Sequence, residues 1–414
     1  MKTTIFLILS FLSSQAISQS FYVPDDNFEL ILIDYGYDDV LDDSVLYSSV
    51  DWLGYLNVDL AEIVSLEGIE AFTSLETLLC SGNDIMSIDV SSNVNLKSLR
   101  ISANNLTALD VSANVALEEL ICSSNNITSL DLSNNVNLQD LLCENNLLTS
   151  LDLSLNTELE LVSLYYNELT GLDLNSLASL AQLDCRFNTI SELDVSNNTE
   201  LWELSISNNE IAEVDFSNNP NLIYLDCNYN PFTELDLTHN DSLKALNCIG
   251  GNVKNLNLDN NSGLESIHLE HGIFEGLSIQ SGNNIIMDSW GHVFLDDNPL
   301  LTCVMVDDPA FSTTNWTEVD GILNFSLECD YSNVEEVVVF EFKVYPNPTT
   351  EKLNLETNVS NLEMRIYAIS GEVLLHEKLN SGNNSIDVSA LSQGVYLVQL
   401  IGNGQVYIEQ IIVQ

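Results

Sequence analysis

Apolar residues return along this chain at a fixed interval. Leu75, Leu96, Leu117, Leu138, Leu159, Leu180, Leu201, Leu222, Leu243 and Leu264 are each 21 residues apart. A second apolar residue follows three positions after each anchor, from Leu78 to Ile267, and a third follows five positions after, from Cys80 to Leu269. Asparagine stands eight positions after the anchor from Asn83 through Asn230. The unit reads L-x-x-L-x-[C/L/I]-x-x-N-x-[I/L], then x-x-L-D-[V/L]-S-x-N. Apolar residues at spacing two mark short strands whose alternate side chains face one core. Each unit thus predicts two strands, the L-x-[C/L/I] and L-D-[V/L] segments, and no part of it has a helical period. A single unit cannot bury its own apolar face, whereas stacked units form a continuous core. An inward asparagine at a tight corner can bond backbone groups of its own and adjacent coils. In the last two units that position becomes Gly251 and Gly272, which predicts that the ladder stops there.

This pattern resembles the leucine-rich-repeat family in its short 21-residue bacterial form, over residues 75–284. The resemblance implies a mainly β fold, a parallel solenoid of about ten coils. A solenoid exposes core at both ends and needs caps. Residues 19–74 are the expected N-terminal cap, where Pro24, Asp25 and Asp26 suit a helix start and Phe28, Ile31 and Leu32 one apolar face. Residues 285–329 are the expected C-terminal cap, with Leu295-x-x-Asn298-Pro299 as a shortened unit.

The first residues have a different logic. Lys2, the apolar run from Ile5 to Leu12, and the small residues Ala16 and Ser18 read as a signal peptide over 1–18. No later stretch holds 18 apolar residues, so no transmembrane segment is expected. Six of the eight cysteines (Cys80, Cys122, Cys143, Cys185, Cys227, Cys248) occupy one inward repeat position and read as small buried apolar residues. Cys303 and Cys329 stand outside the repeat and are candidates for a capping disulfide in an oxidising compartment.

The C-terminal part breaks with the repeat. After an acidic, valine-rich linker at 330–340 come Tyr345-Pro346-Asn347-Pro348, Leu353-Asn354-Leu355, Arg365-Ile366-Tyr367, Gly371-Glu372-Val373-Leu374 and Leu391-Ser392-Gln393-Gly394-Val395-Tyr396-Leu397-Val398. Alternating runs between Gly and Asn turns predict a small antiparallel β-sandwich over 341–414. The order and spacing look like the type A sorting domain of the type IX secretion system. Near the start of the last strand, where that family often has a lysine, this chain has Glu409 and Gln410. The resemblance implies export, recognition by the type IX machinery, and a secreted or outer-surface location.

Charge narrows the partners. The chain holds 62 acidic and 10 basic residues, a net charge of -52. Residues 341–414 carry a net of -4, which leaves -48 on the first 340 residues. Such a surface repels phosphate backbones and argues against nucleic acid. The outward positions of the first strand lie two, four, six and seven residues after each anchor. Early coils place small residues there, such as Ser81, Gly82, Ser102, Ala103, Ser123 and Ser124. Middle coils place Tyr165, Tyr166, Asp184, Arg186, Phe187, Glu203, Tyr224, Asp226, Asn228 and Tyr229. Exposed aromatics beside an arginine are common anchors of binding surfaces, so these ten are the candidate ligand-binding residues.

A second outward row is acidic: Asp89, Asp110, Asp131, Asp152, Asp173, Asp194, Asp215 and Asp236, each followed two residues later by Ser, Thr or Asn. It reads as a solvated hydrogen-bonded ladder, with weak calcium binding as the sharper alternative. His268, His271 and His292 would make a zinc site only if His292 stacks over His271. No G-x-S-x-G, H-E-x-x-H or phosphate loop is present, so no catalytic residue and no cofactor is expected. The expected function is recognition of an extracellular protein or glycan. The alternative is a structural surface or matrix component, calcium-dependent in its sharper form.

Overall fold

The computed structural model describes residues 19–414 except 283–292, 322, 330–341, 358–361, 369–372 and 403–404. The expected signal peptide and linker therefore lie outside the described residues. The chain divides into two compact units, Met1–Cys329 and Asp330–Gln414.

In the first unit, twelve short strands form one parallel sheet. Each repeat contributes three residues, such as Thr77–Leu79, Ser98–Arg100 and Glu119–Ile121, whose middle leucine is buried. Neighbours pair in register, Leu78 with Leu99 and Leu99 with Leu120, so the 21-residue interval becomes a column of stacked leucines. The sheet gains one strand at each end beyond the ten regular repeats. Tyr55–Asn57 pairs with Thr77–Leu79, and Val293–Phe294 pairs with Ser266–His268. Both were hidden by altered spacing: Leu56 lies 22 residues before Leu78, and Val293 lies 26 after Ile267.

The second strand of each coil is only partly realised. A paired ladder forms across Asn255–Asn257, Gly276–Ile279, Cys303–Val306 and Asn324–Ser326. In earlier coils the L-D-[V/L] segment joins no paired sheet. Side chains occupy its backbone groups there. Asp131 Oδ1 accepts from Ser133 N at 3.0 Å, and Asn135 Nδ2 donates to Val111 O at 3.0 Å and to Asn114 O at 2.9 Å. The same amide pattern runs through Asn240 and Asn261. The residue 21 positions after Asn261 is Gly282, which has no amide to offer, and backbone pairing takes over at that end.

The other asparagine ladder behaves as its position predicts. Asn125 Nδ2 donates to Ile101 O and Cys122 O at 3.0 Å each, while its Oδ1 accepts from Leu106 N at 3.0 Å. Contrary to expectation, the ladder does not end at Gly272. Asn298 resumes it, donating to Leu269 O and Leu295 O at 2.9 and 2.8 Å. A Cβ on Gly272 would fall 2.7 Å from Oδ1 of Asn298, so the missing side chain makes room for the displaced amide.

At the N-terminal end, Asp25 caps the helix Asp26–Asp34 through bonds to Asn27 N and Phe28 N, and also accepts from Val64 N and Ser65 N. Phe28 and Leu32 are buried with Ile31 packed against them, which closes the solenoid core. Glu29 is fully buried and its carboxylate accepts from Asp42 N, Asp43 N and Ser44 N, each at 3.1 Å. At the far end, Cys303 and Cys329 form a disulfide with their Cα atoms 5.9 Å apart. The six repeat cysteines are free and buried, and burial pushes the Cys80 and Cys185 thiols well up.

The second unit contains a three-stranded antiparallel sheet and a four-stranded one around a shared core that includes Leu353, Leu355, Ile366, Tyr396 and Val398. Its motif residues hold it together. Asn347 Nδ2 donates to Gln410 O at 2.8 Å and its Oδ1 accepts from Ile412 N at 2.9 Å. Tyr396 Oη donates to Ser392 O at 2.7 Å.

Candidate binding surface

The candidate residues divide into groups. Tyr166 and Phe187, one coil apart, stack in parallel with ring centroids 4.2 Å apart and planes within 9°. Tyr165 meets Tyr166 edge-on at 5.6 Å. Arg186 sits 5.7 Å over the Tyr165 ring and grips Asp184 with two bonds, at 2.9 and 2.7 Å. That bidentate grip raises the Arg186 pKa, so the guanidinium is a permanent charge. These five residues form one patch.

The others stand apart from this patch or are engaged elsewhere. Asp226 is only 5% exposed; its carboxylate lies 3.8 Å from Arg186, and burial holds its pKa above the usual carboxylate value. Asn228 Oδ1 accepts from Ile249 N at 2.6 Å, which ties it to the next coil. Glu203 accepts from Gln182 Nε2 at 2.7 Å, and Tyr224 Oη accepts from Asn247 Nδ2 at 3.0 Å. Tyr229 lies over Gly250, where a Cβ would come within 2.7 Å of the ring, and Asn208 separates it from Phe187 in the column.

The backbone under the patch is unusual. One residue per coil takes a left-handed conformation at this corner: Ala103, Ser124, Asn145, Tyr166, Phe187, Asn208, Tyr229 and His271, with Gly82 and Gly250 in the same column. Glycine and asparagine adopt it readily, whereas for a bulky residue it costs roughly 1–2 kcal/mol. Tyr166 at φ 53° and Phe187 at φ 54° bear that cost. Their mutual stacking offsets about 0.5–1.5 kcal/mol of it.

Beside the stack runs a groove of about 710 Å³ lined by Thr149, Tyr166, Asn167, Glu168, Thr170, Phe187, Asn188, Thr189 and Asn208. Sequence reasoning missed its threonines and Glu168 because they follow the corner asparagine, outside the strand-face positions. The only hint was the run of large residues where other coils carry Gly82 and Gly250.

The acidic row is local in its bonding. Asp89, Asp110, Asp152, Asp194 and Asp215 each accept from the backbone N–H two residues on, at 2.9 Å. Bonding with the serine that follows holds these carboxyls below their usual range. Among the described residues no three His, Cys, Asp or Glu side chains gather as a metal site. His268 stacks on Phe294 at 4.3 Å and His271 lies 3.0 Å from Asp297, while His292 falls outside the described residues.

Comparison with known proteins places both units. Residues 343–414 match the secretion system C-terminal sorting domain. The functional domain of InlJ from Listeria monocytogenes, whose structure is described as including a cysteine ladder, superposes with a TM-score of 0.62 at 23% identity, over 96% of this chain and 99% of that one. The fold is that of the internalin-type leucine-rich-repeat proteins. The internalin InlF from the same organism aligns with a TM-score of 0.55 at 23% identity, over 72% of this chain and 94% of that one. The leucine-rich-repeat domain of APL1B aligns at 0.53 and 18% identity, over 76% of this chain and 95% of that one. No curated protein sequence matches the chain. The sorting domain marks this chain as an exported one, secreted or held at the outer cell surface. Among the described residues no helix is long and apolar enough to cross a membrane.

Proposed function

We propose that the protein is a surface recognition protein, adhesin-like, that binds an extracellular protein or glycan through the face formed by Tyr165, Tyr166, Asp184, Arg186 and Phe187. The observation that carries this reading is the parallel stack of Tyr166 and Phe187 on left-handed backbone. Strained, half-exposed aromatics contribute little to folding, and strain of this kind concentrates at functional sites. A rigid aromatic cluster with a fixed arginine is the composition of a binding hot spot, and such residues lose little entropy on binding. The solved structures of like fold are internalin-type and other leucine-rich-repeat domains, which favours binding over catalysis. A leucine-rich-repeat scaffold does not by itself select a ligand.

The test is a binding screen of the purified chain against arrayed extracellular proteins and glycans, with and without calcium. It runs beside a Tyr165→Ala, Arg186→Ala, Phe187→Ala variant. A specific ligand bound by the wild type and lost in the variant supports the proposal. A ligand bound equally by both would remove the function from this face. Calcium-dependent self-association with no ligand would instead favour a matrix component built on the Asp row.

A further inference from the structure

We infer that the groove beside Tyr166 and Phe187 receives a lysine or arginine side chain from a basic segment of an extracellular protein. This inference rests on the reading of the middle coils as the binding face and names the chemistry of the partner. The groove is bounded by a flat aromatic stack, by the hydroxyl-bearing side chains of Thr149, Thr170 and Thr189, and by Glu168. Glu168 is exposed and is the one formally charged side chain among the groove residues. Rings beside a carboxylate are an environment for a cation, since the ring faces and the carboxylate both present negative potential. The patch already holds one such contact, Arg186 over Tyr165. That arginine is fixed on Asp184, so it does not neutralise Glu168.

The surrounding field points the same way. Residues 101–243 contain 23 acidic side chains and one basic one, Arg186. Potential of that sign draws in cationic segments and repels acidic proteins and sulfated or carboxylated polymers. A neutral sugar could stack on the rings but would gain nothing from the field. Charge complementarity therefore favours a basic protein segment over a glycan. The field supplies the approach, and the stack with Glu168 supplies the address.

The experiment titrates the full chain with a 12-residue peptide of alternating arginine and glycine, at about 150 mM salt so that diffuse attraction is screened. An aspartate–glycine peptide and a neutral cello-oligosaccharide are the comparison probes. The arginine peptide is expected to bind, with its affinity reduced about tenfold or more by Phe187→Ala and by Glu168→Gln. Asp131→Asn removes the same charge from the Asp row and is expected to change affinity less than about twofold. Melting curves of each variant separate lost binding from lost folding. The inference fails if Phe187→Ala and Glu168→Gln bind the peptide like the wild type, or if Asp131→Asn matches the Glu168→Gln loss. It also fails if only the oligosaccharide binds and is lost with Phe187→Ala, a result under which the proposed binding face still stands. A screen in which the triple-alanine variant retains every ligand would overturn the binding face itself.

Discussion

Two rows of side chains run along this solenoid, and they obey different rules. At the corner after the second segment, the same Asp–Ser and Asn residues recur in coil after coil, and the Asp Oδ1 and Asn Nδ2 atoms bond backbone of their own coil or the one before. On the face of the first strand the buried leucine recurs, but the outward residues change from Ser81 and Ala103 to Tyr165, Arg186 and Phe187. In a repeat protein the invariant positions answer to stacking, because every coil must solve the same packing problem. A departure confined to a few coils answers to something outside the stack. The sharpest departure puts stacked bulky rings at a left-handed corner where other coils carry smaller residues such as Gly82, Ala103, Ser124 and Gly250.

The contrast predicts unequal effects, and the invariant rows should hold the largest. Asn135→Ala removes two bonds to buried carbonyls, each of which keeps one backbone donor, Asn114 N on Val111 O and Leu117 N on Asn114 O. The expected loss is about 1–3 kcal/mol of stability in denaturant melts. A loss below about 0.5 kcal/mol would mean that the amide ladder is ornamental.

Phe187→Gly should do the reverse. Relief of the left-handed strain and loss of the stack nearly cancel, so stability should stay within about 1 kcal/mol of wild type. Binding of the array-identified ligand should fall about tenfold or more. A variant that instead melts much earlier would assign the aromatic stack to architecture.

pH separates two carboxylates of opposite standing. Burial raises the folded-state pKa of Asp226 above its ordinary 3.8. Its contribution to stability is therefore fully present below about pH 3.8 and is lost as pH rises through the folded value. Asp226→Asn should raise the melting temperature at pH 7, and the gain should vanish on acidification. For Asp194, bonding with Ser196 lowers the pKa, so its contribution is present above pH 3.8 and is lost as pH falls through the folded value. Asp194→Asn should cost a little stability at pH 7 and nothing at low pH. Melting temperatures of both variants from pH 3 to pH 7 check the two signs.

The smallest effect is expected from calcium. With one oxygen of each row carboxylate turned to its own coil and no three-ligand cluster among the described residues, millimolar calcium should move the melting temperature by less than about 1 °C. A larger rise would revive the calcium-dependent matrix reading.

The solenoid was legible in the sequence because its cause is periodic. Leu78, Asn83 and Asp89 each recur with a strict interval, and in-register stacking follows from that interval. What escaped is what the interval does not encode. The added strands Tyr55–Asn57 and Val293–Phe294 were masked by coils of different length. The second ladder was over-read, because alternation predicts extended backbone but does not reveal that Asp131 and Asn135 satisfy it in place of a neighbouring strand. At the candidate site the aromatic positions were readable. Their grouping was not: the stacking of Tyr166 on Phe187 and the seating of Tyr229 on Gly250 depend on the left-handed corner, which sequence marks only through scattered Gly and Asn.

The most direct test places the wild-type chain and a Tyr166→Ala, Phe187→Gly variant side by side on one array of extracellular proteins and glycans, with melting curves from the same preparations. If the strained stack exists for recognition, the variant keeps its melting temperature and loses the wild-type ligand. A variant that retains the ligand, or loses it only in proportion to its unfolding, would contradict the account.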